Sequence, residues 1–144
     1  EEVGLDLESK NIELNYSNLV APDTVIIADP EQLKRVINNI IGNSIKYLDK
    51  TKGEIDIRIL DEIDSIRVEI EDNGKGIAAK DLPKIFERFY RTDASRNSSQ
   101  GGSGIGLSIV KKIVEDHGGY IWATSKEGEG TCMHFVIRKY QEME

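Results

Sequence analysis

The stretch EIDIRILDEIDSIRVEIED, residues 54–72, constrains the fold more than any other part of the chain. Ile55, Ile57 and Ile59 fall at every second position, and after a short acidic turn Ile66, Val68 and Ile70 repeat the pattern. Successive side chains of a strand point to opposite faces, so each run has one apolar and one polar face. Together they predict an antiparallel hairpin whose apolar face has to be covered by something else. Four further segments read as strands: NIELNYSN (11–18), the short TVIIA (24–28), YIWAT (120–124) and TCMHFVIR (131–138), the last two joined across KEGEG.

The expected cover is helical. Asp29 suits an N-cap, Pro30 the first helical position, and Gln32 stands three residues after the cap as in a capping box. From there Leu33, Val36, Ile37, Ile40, Ile41, Ser44 and Leu48 recur at helical spacing, which predicts a helix to about Leu48. A short helix is expected around LPKIFERFYR (82–91), where Phe86, Phe89 and Tyr90 read as core packing. A polar loop leads to Ser103, and another helix runs from about Gly104 to His117, stopped by Gly118 and Gly119. The expected class is α+β: a two-layer sandwich, its sheet mixed but mostly antiparallel, with about three helices on one face. A length of 144 residues suits one domain, 1–144, able to bury roughly 70% of its unfolded surface.

Charge and composition remove several function classes. With 26 acidic against 19 basic residues the net charge is −7, which argues against nucleic acid as a partner. No window approaches eighteen apolar residues, and the opening EEVGLDLESK lacks the features of a secretory signal. The single cysteine, Cys132, can form no internal disulfide, so a cytoplasmic setting is expected. An anionic ligand would need a locally basic or dipolar site.

SSQGGSGIGLSIVKK, residues 98–112, offers one, because alternating glycines run straight into a helix start with its unpaired N–H groups. It is not a Walker A loop: counting from Gly101, the position that needs lysine holds Leu107. Nor is it a dinucleotide fingerprint, since a polar loop and not a strand precedes Gly102. GKGIAA, Gly74 to Ala79, satisfies G-x-G-x-x-A after a strand, but Pro83 interrupts the helix behind it and Asp72 would face the pyrophosphate.

The first long helix points to another architecture. Asn39, Asn43, Lys46 and Tyr47 lie at i, i+4, i+7 and i+8, on one side, next to the apolar stripe. Two amide oxygens, an ammonium and an aromatic ring suit a metal-bridged triphosphate and a planar base; the plainer alternative is a solvated face. DNG at 72–74 is a common turn signal. Yet a carboxylate at the end of a buried strand is also placed to accept from the exocyclic amino group of adenine. Arg91 opens the polar loop, where a guanidinium can swing onto phosphate.

In this order the segments resemble the catalytic and ATP-binding (HATPase) domain of bacterial two-component sensor histidine kinases, within the GHKL superfamily. That superfamily also holds type II topoisomerase ATPase domains, a heat-shock chaperone and mismatch-repair ATPases, and its shared architecture is the Bergerat ATP-binding fold. NNIIGNSIKY is similar to the family's N box, DNGKGI to its first glycine box, IFERFYR to its F box, GGSGIGL to its second glycine box and GEGT to its last. The resemblance implies ATP and Mg²⁺ as cofactors, with Asn43 as the Mg²⁺ ligand, Asn39 beside it, Lys46 on phosphate and Tyr47 over the base. It implies that Asp72 recognises the adenine amino group, that Gly74 and Gly76 admit the nucleotide, and that Ile77 packs on the ring. Arg91 would reach the γ-phosphate; Gly102, Gly104, Gly106 and Leu107 would shape a lid, and Thr131 would support adenine through water.

The resemblance further implies a monomeric cytoplasmic domain of a kinase whose parent is often membrane-anchored. Its partners would be that kinase's dimerisation and histidine phosphotransfer domain and, downstream, a response regulator. The family's phosphoacceptor sequence, like H-E-x-R-T-P, does not occur here. His117 is expected as a C-terminal helix cap and His134 as a strand residue, not as acceptors. Three functions compete: transfer of the γ-phosphoryl group to a partner's histidine, ATP hydrolysis by a conformational clamp, and passive nucleotide binding. The clamp ATPases carry a water-activating glutamate where Asn39 stands, and an amide is no general base. The F box also disfavours the anti-sigma-factor serine kinases of related fold.

Overall fold

The computed structural model describes residues 12–26, 28–87 and 106–139. Five strands, β1 (Ile12–Asn18), β2 (Gly53–Asp61), β3 (Ser65–Asp72), β4 (Tyr120–Lys126) and β5 (Gly130–Arg138), form one sheet in the order β1-β2-β3-β5-β4. Three of the four pairings are antiparallel; β1 runs parallel to β2, because helix α1 (Pro30–Lys46) carries the chain back between them. Helix α2 (Gly106–Asp116) packs against α1, and both lie over one face of the sheet.

Strand register follows the alternation. Ile66, Val68 and Ile70 of β3 oppose Ile137, Phe135 and Met133 of β5, and all six are buried. Val36, Ile40 and Ile41 of α1 and Val110 and Val114 of α2 close on them in the same core. Burying one such side chain contributes about 1.5–3 kcal/mol, so this layer dominates stability. At the end of the apolar column the next inward pair is polar, Asp72 opposite Thr131.

The other sheet face is a polar lattice. Arg58 Nε donates to Glu69 at 3.2 Å, its Nη2 meets Glu71 at 3.1 Å, and His134 Nδ1 lies 2.8 Å from Glu69. Trp122 stacks on His134 with ring centroids 4.9 Å apart. Glu69, Cys132 and His134 offer ligand atoms within 4.8 Å of one another, but the guanidinium of Arg58, 3.8 Å from the Cys132 sulfur, is already the cation there. Burial first, then the nearby carboxylates, push the Cys132 thiol up to about 12.

Several expectations need correction. The strand expected at TVIIA reduces, among the described residues, to a single bridge between Ile26 and Lys139. In place of a third helix around 82–91, the described residues show a 3₁₀ turn, Leu82–Lys84, where Pro83 offers no N–H; Phe86 packs on the core as expected, while Phe89 and Tyr90 lie outside the described residues. Asp29 caps α1 by accepting from Glu31 N at 3.0 Å and Gln32 N at 3.4 Å, but Gln32 does not complete the capping box. The Asp29 N–H donates instead to His117 Nε2 at 3.0 Å, while His117 Nδ1 meets the Ile113 carbonyl at 2.8 Å. Both contacts are hydrogen bonds only with the proton on Nδ1, so His117 caps α2 as a neutral imidazole and ties its end to the start of α1.

Candidate functional site

The polar end of the core column is built by three elements. β3 delivers Asp72, the only charged residue in the buried class among the described residues. Its Oδ1 accepts from Gly74 N at 2.9 Å and from Thr131 N at 3.4 Å, and the hydroxyl of Ser44, on the buried side of α1, also bonds the carboxylate. Burial outweighs these bonds and raises the carboxyl above the usual aspartate range. Thr131 faces it from β5, and Ser125 of β4 lies 2.8 Å from the Thr131 hydroxyl.

The loop after β3 turns back over this floor. Ile77 is buried, with its N–H donating to Ser125 Oγ at 2.7 Å. Gly76 has φ +76°, and a Cβ there would sit 2.4 Å from the Lys126 carbonyl oxygen; at Gly74 a Cβ would meet the Tyr47 carbonyl oxygen at 2.6 Å. Both glycines are therefore required by the protein's own backbone, a reason the sequence reading, which held them open for a ligand, did not contain. Tyr47 caps α1, accepts from Lys75 N at 3.1 Å, and carries two ammonium groups near its ring, Lys75 at 5.1 Å and Lys46 at 5.8 Å from the centroid. Asn39 and Asn43 are half-buried one turn apart on α1, and among the described residues neither side chain has a hydrogen-bond partner.

The site thus joins a deep carboxylate to a rim of amides and ammonium groups, a layout suited to a ligand with a donor-bearing planar ring at one end and negative charge at the other. Residues 28–141 match the family described as histidine kinase-, DNA gyrase B- and HSP90-like ATPase. The chain belongs to this ATPase family.

Among its relatives is the sensor histidine kinase WalK of Bacillus subtilis (strain 168), 39% identical over 129 residues, which cover 88% of this chain and 21% of WalK. The chain therefore spans about a fifth of that relative's length. The nucleotide-free catalytic domain of histidine kinase ThkA superposes with a TM-score of 0.79 at 31% identity, over 95% of this chain and 89% of that one. ThkA has also been solved in complex with the response regulator protein TrrA (TM-score 0.76, 29% identity, 96% of this chain and 39% of that one). Full-length ShkA in complex with AMPPNP matches at a TM-score of 0.78 and 26% identity, over 98% of this chain and 30% of ShkA.

In this ATPase-family chain the structure brings together Asp72, Gly74, Ile77 and Thr131 on the floor, with Tyr47 and Lys46 at the adjoining end of α1. Gly106 and Leu107 open α2, Leu107 packing on the core; Arg91, Gly102 and Gly104 lie outside the described residues. Two contributors escaped the sequence reading, Ser44 and Ser125. Each sits where the local period places an inward residue, Ser44 on the α1 apolar stripe and Ser125 two positions after Ala123, and a hydroxyl at an inward position is the signal that marks them.

Proposed function

We propose that residues 1–144 form one catalytic and ATP-binding unit that binds Mg²⁺-ATP and donates its γ-phosphoryl group to a histidine on a separate dimerising helix pair, in a pathway continuing to a response regulator. The observation that carries this reading is Asp72: a buried carboxylate held by Gly74, Thr131 and Ser44, at one end of a site whose other end bears amides and an ammonium group. Likeness to WalK, ThkA and ShkA supports it. The working unit is read as a monomer, the cytoplasmic part of a larger kinase.

Asp72 accepts from the adenine amino group, Thr131 supports the same edge, Ile77 packs on the ring and Tyr47 covers it. Gly74 and Gly76 shape the wall, Lys46 and Arg91 counter the phosphate charge, and Gly102, Gly104, Gly106 and Leu107 form the lid and its hinge into α2. Asn43, with Asn39 beside it, suits Mg²⁺: both offer hard amide oxygens that no described residue engages. When bound, the ion neutralises and orients the triphosphate. The protein's own contribution is positioning, worth up to about 7–11 kcal/mol of barrier once an acceptor is aligned.

The test supplies γ-labelled ATP to the chain alone and with a dimerising helix pair carrying the family's phosphoacceptor histidine. Label should appear as acid-labile phosphohistidine on the added helices only, with negligible phosphate released by the chain alone. Rapid release by the chain alone would favour the hydrolytic clamp, and binding without transfer to a cognate acceptor would leave only a passive nucleotide module.

A further inference from the structure

Ser125 makes three contacts through one hydroxyl: Ile77 N at 2.7 Å, Gly130 O at 2.9 Å and Thr131 Oγ1 at 2.8 Å. An amide N–H can only donate and a carbonyl can only accept, so one arrangement of protons makes all three contacts hydrogen bonds. Ser125 accepts from Ile77 and donates to Gly130, which obliges the Thr131 hydroxyl to donate to Ser125. With its proton committed, Thr131 presents only lone pairs elsewhere. Beside it stands Asp72, whose ionised carboxylate also only accepts; Thr131 and Asp72 are paired across β3 and β5, and both are at most 9% exposed.

We propose that Ser125 is a positioning residue that fixes the Thr131 hydroxyl as an acceptor, so that the pocket selects a 6-amino purine nucleotide over a 6-oxo one. The inference rests on the adenine site proposed above. A 6-amino group is a donor and meets two acceptors; a 6-oxo group is an acceptor and meets the same two. Removing the Ser125 hydroxyl frees the Thr131 proton to turn toward the ligand and satisfy a 6-oxo group, directly or through water.

The experiment is calorimetric titration of the wild-type chain, Ser125→Ala and Ser125→Thr with ADP and with inosine diphosphate, which carries oxygen for the amino group at C6 and a proton on the neighbouring N1, so the change in the ratio of the two between variants, where the N1 difference is common to all, is what reads Ser125. Wild type should prefer ADP. In Ser125→Ala the ratio of the two dissociation constants should fall roughly two- to tenfold, the worth of one neutral hydrogen bond, while Ser125→Thr, which keeps the hydroxyl, should keep the wild-type ratio. A general loosening would weaken both ligands alike and leave the ratio unmoved; that result in a folded Ser125→Ala overturns the role of Ser125 alone. Equal relaxation in Ser125→Thr would do the same. Should Ser125→Ala not fold, Thr131→Val takes its place: the ratio should fall there too, and an unchanged ratio refutes the inference. No ADP binding by wild type would overturn the adenine site itself, and this inference with it.

Discussion

Replacing Asp72 by asparagine should separate ligand affinity from stability. The asparagine oxygen can still accept from Gly74 N and Thr131 N, now at 2.9 and 3.4 Å, and the Ser44 hydroxyl can accept from the new amide in place of donating. Under the proposed function, what changes is the acceptor offered to the adenine amino group, which becomes a donor facing a donor. A hydrogen bond to a charged group contributes about 1.5–3 kcal/mol, so ADP affinity should fall roughly ten- to 150-fold. Stability should move the other way. Burial raises the folded-state pKa of Asp72 above its ordinary 3.8, so its favourable contribution is present below that pH and is lost as pH rises through the folded value. At neutral pH the buried charge is a cost that asparagine does not carry. In urea the variant should therefore unfold at the same or a higher midpoint than wild type at pH 7, the difference shrinking toward pH 4. Calorimetry with ADP and urea titrations at the two pH values check both halves. Unchanged ADP affinity in a folded variant, or an affinity loss that tracks a lower midpoint at pH 7, would refute the reasoning.

Asn43→Ala should weaken Mg²⁺-ATP binding while leaving adenosine nearly unaffected, because only the triphosphate uses the ion; equal losses in calorimetry would place the metal elsewhere. Cys132, pushed up to about 12 against an ordinary 9.0, should alkylate more slowly by roughly 30-fold or more in the native chain than in urea at pH 8, the lost thiolate fraction being only partly offset by its higher nucleophilicity, measured by mass-resolved iodoacetamide labelling. The same shift means that the stability contributed by this thiol is lost as pH rises from about 9 toward 12.

The alternation of Ile55 to Ile59 and Ile66 to Ile70 made the central hairpin and its inward face legible, because a one-residue slip would turn every isoleucine to the polar face. The parallel pairing of β1 was not legible: strand direction is decided by where α1 returns the chain, which local periodicity does not encode. Gln32 fitted the capping-box pattern, yet an imidazole 88 residues away satisfied the same N–H first. At the site, Asp72 and the α1 amides could be named from spacing and resemblance. The hydroxyls of Ser44 and Ser125 could not, since only the fold shows that their inward positions end on a carboxylate and a threonine rather than in hydrocarbon.

The two hairpins, β2–β3 and β4–β5, each close over a three-residue turn, whereas Asp72 and Thr131 meet from 59 positions apart. Hairpins of this kind form within about 1–10 μs on their own, but the β3–β5 seam exists only after they dock and the long connection between them has been closed. The α1 amides belong to a local element and the carboxylate floor to a global one. A partly folded chain can therefore carry Asn39 and Asn43 in place before Asp72 and Thr131 have met. Any ligand that grips Asp72 and Thr131 together binds only the assembled sheet, and so its binding energy acts against every opening that parts β3 from β5, partial or complete.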